Sequence, residues 1–303
     1  KKPVENITKI LTEIDIILTK ENPDAVIVLG DTNSCLSAYS AKRLKIPIFH
    51  IEAGNRCYDE RVPEEINRKI IDHISDINVT YSEVAKENLI RENLPPDRTF
   101  KIGSPLYEVF QFNKKKIQSS KVLEKFLIQK NKYFVVSVHR EENLDNKKNF
   151  NLFINFLNYL EKRNNEKIIV STHPRTIKKI IKQKIFKSKN IIFSKPFSYS
   201  DYCNLQINSK IVFSDSGSIT EEANIMNFKA INLRHTNERQ EGMSFGAVPM
   251  IHFDINKLEH LIQHYKNLDN NTHKISDYEC PSFSKIFYNL LISYINYVNH
   301  NVW

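Results

Sequence analysis

Short apolar runs alternate with amphipathic helical patterns along most of the chain, and this alternation constrains the fold more than any other feature. The runs are continuous rather than alternating, which is typical of strands that are covered on both faces. Strands and helices in this order predict βα units and parallel sheets. The predicted strands are 25–29, 46–52, 77–80, 100–102, 133–138, 167–172, 191–194, 211–214, 230–233 and 248–253. The main predicted helices are 6–21, 32–43, 64–74, 82–93, 148–162, 218–226, 255–267 and 282–300.

A lysine-rich stretch of low periodicity at 113–132 divides the chain near its middle. We therefore predict an α/β protein of two Rossmann-like, doubly wound domains with a cleft between them. The first covers 1–112, with a C-terminal helix in 282–303 returning to it, and the second covers 113–281. Because such a domain normally opens with a strand and this chain opens in a helical pattern, we expect the first strands to be missing, by truncation or by disorder.

Charge and cysteine usage narrow the possible partners. The net charge of +9 over 303 residues suits an anionic ligand. Its basic stretches at 114–116 and 178–189 lack the interleaved aromatic side chains on which bases stack, so nucleic acid is disfavoured. No apolar run has the length of a membrane helix. The four cysteines are too widely spaced to predict a zinc site or a disulfide framework, which favours the reducing cytoplasm. They are Cys35, Cys57, Cys203 and Cys280.

Glycine is scarce, with six residues in the chain, and four of the six follow apolar runs: Gly30, Gly54, Gly103 and Gly217. A glycine retained in such a chain marks a backbone position where a side chain would be obstructive. In open parallel sheets, ligands bind beyond the carboxyl ends of the strands. The segments at these ends contain ionisable or phosphate-binding residues, which predicts a site there. They are 30–33, 50–56, 103–105, 139–143, 172–175 and 214–218.

Three carboxylates follow the strands of the first domain. Asp31 would also serve as a helix cap, and Glu64, directly after Pro63, would also be a favourable acid in a first helical turn. Glu52 ends an apolar strand before Ala-Gly and has no capping duty, which favours a chemical role. In the second domain, a histidine at a strand end with arginine beside it, His139-Arg140, suits an anionic leaving group.

A candidate anion site precedes the helix predicted at 218–226. Backbone N–H groups at a helix N-terminus, with the hydroxyls of Ser216 and Ser218, suit a diphosphate. An ordinary serine cap would use the same residues. Glu222, one turn inside the helix, would accept hydrogen bonds from ribose hydroxyls, or would simply be a solvated helix residue.

Four ordered segments carry a resemblance to a known family. They are Gly30-Asp31-Thr32, His50-Ile51-Glu52-Ala53-Gly54, Pro63-Glu64-Glu65-Ile66-Asn67-Arg68, and Ser214-Asp215-Ser216-Gly217 followed by Glu221-Glu222. The sequence resembles the non-hydrolysing UDP-N-acetylglucosamine 2-epimerases. The resemblance implies a glycosyltransferase-B-type fold, no metal or redox cofactor, and a cytoplasmic homodimer that engages neither nucleic acid nor membrane. It also implies that 113–281 binds UDP. The family's Gly-Thr-Arg-Pro-Glu motif is absent from the sequence, in line with the expected missing strands.

The resemblance further implies the reaction and the residues that perform it. The substrate would be a UDP-N-acetylhexosamine, inverted at C2 by elimination of UDP to a 2-acetamidoglycal and re-addition. The implied catalytic residues are Asp31, Glu52, Glu64 and His139, the last facing the departing phosphate. Ser216, Gly217 and Ser218 would hold the diphosphate, Glu222 the ribose and Tyr202 the uracil. Arg140 and His173 would line the same site.

Local departures from the best-known members narrow the subgroup. Asn55-Arg56-Cys57 and Arg140-Glu141-Glu142-Asn143 resemble the capsule and O-antigen enzymes of the UDP-N-acetyl-L-fucosamine pathway. The alternatives that remain are a UDP-2-acetamido-2,6-dideoxy-L-hexose 2-epimerase, a hydrolysing epimerase, a glycosyltransferase of the same fold and a non-catalytic UDP-sugar binder. The paired carboxylates favour an enzyme over a binder.

Overall fold

The computed structural model describes residues 3–144, 146–172, 176–177, 180, 188–266 and 274–303. The chain divides into two compact units, each with its own parallel sheet. Unit 1 consists of Lys1–Glu108, Glu238–Glu241 and Ser276–Trp303, and unit 2 of Val109–Asn237 and Gly242–Ile275. The boundaries predicted at 112 and 281 lie near this division and stay predictions.

Unit 1 contains a four-stranded parallel sheet in the order β1-β2-β3-β4. Its central strands are fully buried, because helices cover both faces of a parallel sheet. The last helix of the chain packs on this sheet, with Phe283 and Phe287 against Phe49 and Ile77. The strands are β1 (Val26–Leu29), β2 (Ile48–Ile51), β3 (Ile77–Thr80) and β4 (Thr99–Lys101).

The helices of unit 1 include two that the site uses, α3 and α4. They are α1 (Pro3–Glu21), α2 (Ala38–Arg43), α3 (Pro63–Ile74), α4 (Glu83–Arg91) and the final helix α13 (Phe283–Asn301), with short 3-10 helices at Asn33–Ser37, Pro96–Arg98 and Ser276–Tyr278. Helix α5 (Pro105–Gln118) contains the division between the units at Glu108 and Val109.

Unit 2 contains a five-stranded parallel sheet in the order β7-β6-β5-β8-β9. The chain winds outward from β5 to β7 and then returns to β8 on the other side of β5, so the winding reverses between β5 and β8. Such a switch point is where open α/β sheets bind ligands. The strands are β5 (Tyr133–Val138), β6 (Lys167–Thr172), β7 (Ile191–Ser194), β8 (Ile211–Ser214) and β9 (Ala230–Asn232).

The helices of unit 2 close its core, which is rich in phenylalanine and branched aliphatic side chains. They include α6 (Val122–Lys125), α7 (Glu141–Leu144), α8 (Lys147–Asn164), α9 (Tyr199–Asn208), α10 (Ile219–Met226) and α12 (Ile255–Lys266). Helix α11 (Gln240–Ser244) begins in unit 1. Among the described residues, no helix combines the length and apolar character needed to cross a membrane.

Nine of the ten predicted strands are present, and the tenth, at 248–253, is wrong. That segment makes only an isolated bridge between Asn232 and Met250. Pro249 has no N–H to donate to a sheet, and His252 adopts a left-handed backbone with φ of 50°, which turns the chain out of an extended path.

Candidate active site

The ends of β1 and β2 bring Asp31 and Glu52 together around one arginine. Arg68, on α3, is 2% exposed and its Nη2 donates to Asp31 Oδ2. The same nitrogen lies 3.6 Å from Glu52 Oε1, and Nη1 donates to the Glu52 carbonyl at 2.6 Å. A buried guanidinium with carboxylate partners holds both acids in place, because its planar fork fixes the directions of its hydrogen bonds.

Two further charges complete this cluster. Arg239 Nη2 donates to Glu52 Oε1 at 2.7 Å, and Glu238 Oε2 lies 3.5 Å from Arg68 Nη2. Three carboxylates therefore face two guanidiniums, so full ionisation would leave an excess negative charge in a largely dry site. A cluster of this kind favours retention of one proton.

The proton is drawn to Asp31 rather than to Glu52. Burial raises the pKa of the Asp31 carboxyl from 3.8 to about 6, with Glu238 and Glu52 adding to the effect against Arg68. Burial also opposes ionisation of Glu52, but Arg239 and Arg68 outweigh it and lower the pKa of that carboxyl. Carboxylates whose pKa values are pushed apart are suited to separate acid and base roles.

The backbone at Glu52 is strained. Glu52 has φ of 77°, a conformation that non-glycine residues rarely adopt. The N–H groups of Glu52 and Ala53 both donate to the Val79 carbonyl at 3.1 Å, and Arg68 holds the Glu52 carbonyl. Surrounding contacts thus impose a conformation that costs energy, which is typical of functional positions.

Two glycines allow the loops to pack this closely. Gly54 has φ of 80°, and a Cβ there would lie 2.2 Å from the Ala85 carbonyl oxygen on α4. Gly30 has φ of 74°, and a Cβ would lie 3.3 Å from Glu52 Oε2. The retention of both glycines is explained by the approach of the backbone to its neighbours.

Glu64 lies one helical turn before Arg68 on the same face of α3 and is half-buried. Its neighbour Glu65 is 2% exposed and accepts from the N–H groups of Cys57 and Tyr58 at 2.9 and 3.2 Å. Glu65 therefore holds the loop that follows β2. Glu64 remains the member of the pair with a candidate chemical role.

In unit 2, Asp215 organises the switch point between β5 and β8. Its carboxylate accepts from the N–H groups of His139 at 3.1 Å and Arg140 at 3.0 Å, and from Asn143 Nδ2 at 3.0 Å. Arg140 Nε donates to the Asp215 carbonyl at 3.1 Å. Both predicted residues therefore lie at this sheet edge, oriented by an aspartate to which the sequence analysis assigned no role.

The start of α10 carries a hydroxyl network. Ser218 makes no capping bond, and instead its Oγ donates to Glu222 Oε1 at 2.6 Å. Ser216 Oγ lies 2.9 Å from Ser218 Oγ, and Gln206 Nε2 donates to the second Glu222 oxygen at 2.6 Å. Glu222 is thus a hydrogen-bond acceptor held in place by two donors, and not a solvated helix residue. A carboxylate with these two donors retains further lone pairs for a ligand hydroxyl.

A cavity of about 270 Å³ in unit 2 joins these residues, being lined by Ser137, His139, Ser171, Pro196, Phe197, Tyr199, Tyr202, Ser216 and Glu222. Tyr202 and Phe197 have nearly parallel rings 6.5 Å apart, a flat aromatic surface of the kind on which bases stack. Burial raises the pKa of the Tyr202 hydroxyl.

The predicted residue His173 lies outside the described residues. Within the described ranges, no group of three or more His, Cys, Asp or Glu is arranged to hold a metal ion.

One doubly wound unit with an arginine-bridged carboxylate pair, and another with a hydroxyl- and aromatic-lined pocket at its switch point, define an enzyme of nucleotide-sugar chemistry. The family model for UDP-N-acetylglucosamine 2-epimerase matches residues 1–285. The chain belongs to this family, and it is an isomerase of that class. The predicted resemblance is therefore confirmed, whereas the capsule and O-antigen subgroup stays a prediction.

Solved structures and a curated relative agree. The structure of UDP-N-acetylglucosamine 2-epimerase from Rickettsia bellii is similar with a TM-score of 0.93 and 44% identity, covering 100% of this chain and 82% of that one. The structure of the Methanocaldococcus jannaschii UDP-GlcNAc 2-epimerase in complex with UDP-GlcNAc and UDP is similar with a TM-score of 0.88 and 32% identity. The match covers 95% of this chain and 81% of that one. The M. jannaschii UDP-N-acetylglucosamine 2-epimerase is 36% identical over 251 residues, 80% of this chain and 69% of the relative. These similarities, with the two parallel sheets, confirm the predicted fold class.

Proposed function

We propose that this chain inverts C2 of a UDP-2-acetamido sugar, with UDP-N-acetylglucosamine as the reference substrate. The observation that carries the proposal is the Asp31–Glu52 pair bridged by Arg68. Inversion requires a proton to leave one face of C2 and return on the other, so two proton-transfer groups are needed. Loss of UDP from C1 accompanies loss of the C2 proton, because that proton is too weakly acidic to leave alone, and the intermediate is a 2-acetamidoglycal.

The pKa values support a division of labour. Glu52, whose pKa is lowered, is ionised and begins as the base, and Asp31, whose pKa is raised to about 6, is the member of the pair that more readily takes up and delivers a proton. Reversal of the reaction exchanges these roles. Glu64 lies on α3 one turn from Arg68, and we propose it as a third catalytic carboxylate beside Asp31 and Glu52.

The groups of unit 2 would bind the leaving nucleotide. Ser216, Gly217 and Ser218 would hold the diphosphate, and Glu222 the ribose hydroxyls, supported by the hydroxyl network at the start of α10. His139 would face the departing phosphate, Tyr202 would stack on the uracil, and Arg140 and His173 would line the site.

Incubation with UDP-N-acetylglucosamine in D₂O, followed by NMR at C2, tests the proposal. We expect deuterium at C2 of both epimers with UDP retained on the sugar. A hydrolysing epimerase would release free sugar, and a glycosyltransferase would leave C2 protonated and require an acceptor. A UDP-2-acetamido-2,6-dideoxy-L-hexose tested in parallel identifies the sugar. Binding of both sugars without exchange at C2 would refute the proposal.

We further propose that the protein acts as a cytoplasmic homodimer. The four cysteines form no disulfide, and three are buried, which suits a reducing compartment. The last helix exposes Ile286, Tyr288 and Ile292 at 45%, 59% and 54%, an apolar surface available for association. Light scattering coupled to size exclusion should give twice the mass of 35.6 kDa. A monomer at micromolar concentration would contradict it.

A further inference from the structure

A fully buried polar pair, His50 and Asp72, lies under the two loops that carry the proposed acid and base. Both side chains are 0% exposed. His50, on β2, places Nε2 3.2 Å from the carbonyl oxygen of Gly30, the residue before Asp31. Asp72, on α3, accepts from the N–H of Gly54 at 3.2 Å, two residues after Glu52. A hydrogen bond of 2.8 Å between His50 Nδ1 and Asp72 Oδ1 joins the two side chains.

The partners determine where the protons of this pair reside. A carbonyl oxygen only accepts, so His50 Nε2 donates to Gly30. Burial opposes ionisation of Asp72, but His50 and Arg56 outweigh it and lower the pKa of the carboxyl. Arg56 Nη1 donates to Asp72 Oδ2 at 2.6 Å, and its far side pairs with Glu92 at 2.7 Å. A buried charge network in which every partner is satisfied is rigid.

We propose that His50 and Asp72 are positioning residues that set the separation of Asp31 and Glu52 by tying their backbones together. The inference rests on the proposed function. Arg68 joins the two acids through their side chains and the Glu52 carbonyl, whereas the His50–Asp72 pair joins the Gly30 carbonyl to the Gly54 amide. Without the His50–Asp72 pair, the Gly30–Asp31 turn loses one of the contacts that hold it. A displacement of the Asp31 carboxyl by about 1 Å would then lower turnover by roughly 100-fold.

Two amide variants distinguish a role of His50 in positioning from a role in stability alone. In His50→Asn, the amide occupies the place of Nδ1, keeping a partner for Asp72 and removing the donor to Gly30. In His50→Gln, the amide reaches the place of Nε2 and keeps that donor. It gives up the contact with Asp72, which Arg56 still holds and which still accepts from Gly54. We expect His50→Asn to lower kcat about 100-fold with KM and UDP affinity changed less than about threefold, and His50→Gln to recover turnover to within about tenfold of wild type.

Glu92→Gln is the matched control. It breaks the outer half of the network at Arg56 and leaves the contacts of Asp72 to both loops. We expect its melting temperature to fall by about as much as that of His50→Asn, with kcat unchanged. If His50→Asn keeps wild-type kcat, or if its loss of kcat is matched by Glu92→Gln, the inference is overturned.

A second readout keeps the inference independent of the reaction. If the wild-type protein shows no deuterium at C2, the proposed function fails, and amide hydrogen exchange then decides the positioning role. His50→Asn should accelerate exchange of the segments 29–33 and 51–55, and Glu92→Gln should not. Equal exchange in the two variants would refute the positioning role by itself.

Discussion

Replacing Asp31 with Asn should stabilise unit 1 at neutral pH, although it removes a proposed catalytic group. An acid whose pKa is raised by folding binds its proton more tightly in the native state, so its ionisation above that pKa opposes folding. The change from 3.8 to about 6 corresponds to about 3 kcal/mol of unfolding free energy. The Asp31 side chain is 12% exposed, so solvent screens this effect little. Asn is the uncharged isostere and avoids the cost.

The stabilisation by Asp31→Asn depends on pH. Well below pH 3.8 the acid is protonated in both states, and the gain from Asp31→Asn vanishes. It grows through the window between 3.8 and about 6, reaching about 1 kcal/mol at pH 4.5 and about 3 kcal/mol at pH 7.5. Turnover should fall by roughly 100-fold or more, because the proton-transfer group is lost.

Fluorescence of the single tryptophan offers a direct assay. Trp303 belongs to unit 1, where Lys42 Nζ lies 4.5 Å from its ring centre. Urea unfolding at pH 4.5 and 7.5 then reports the unit that contains Asp31. Asp15→Asn, on an exposed position of α1, is the control and should stay within about 0.5 kcal/mol of wild type. A variant Asp31→Asn that is destabilised equally at both pH values would refute the reasoning.

Four other substitutions give further tests. Glu52→Gln should lower turnover by roughly 10²–10⁴-fold with UDP affinity unchanged, and Glu64→Gln should do the same; a helix-start acid would instead lose only about 0.3–1 kcal/mol and keep full activity. Gly217→Val should abolish UDP binding in calorimetry, and unchanged affinity in a folded variant would contradict the diphosphate placement. Gly54→Ala should unfold at lower temperature than Gly246→Ala, because its Cβ would meet a carbonyl oxygen at 2.2 Å, whereas at Gly246, with φ of 63°, nothing lies within 4 Å. Equal melting temperatures of the two variants would contradict this prediction, because they would show that the loop moves to accommodate a Cβ at position 54.

Much of the fold was predictable because its signals are local. Continuous apolar runs predicted nine strands that the structure contains. Helical spacing predicted many of the helices between them, but not α5 (Pro105–Gln118) or α9 (Tyr199–Asn208). The failure at 248–253 has a local cause as well, since Pro249 was visible in the sequence and argued against a strand. The carboxyl ends of the strands also identified Asp31, Glu52 and His139 as candidates, because parallel strands direct their following residues to one edge of a sheet.

The sequence alone determined which residue types stand at the strand ends, because strand periodicity and glycine placement depend on neighbours along the chain. Only the tertiary structure decided how those residues are charged. Arg68 is 37 positions from Asp31 and Arg239 is 187 from Glu52, so no local pattern announces their pairing. Burial and these distant guanidiniums raise the pKa of Asp31 and lower that of Glu52, since the energy of a charge depends on the solvent it loses and on the charges that folding brings near.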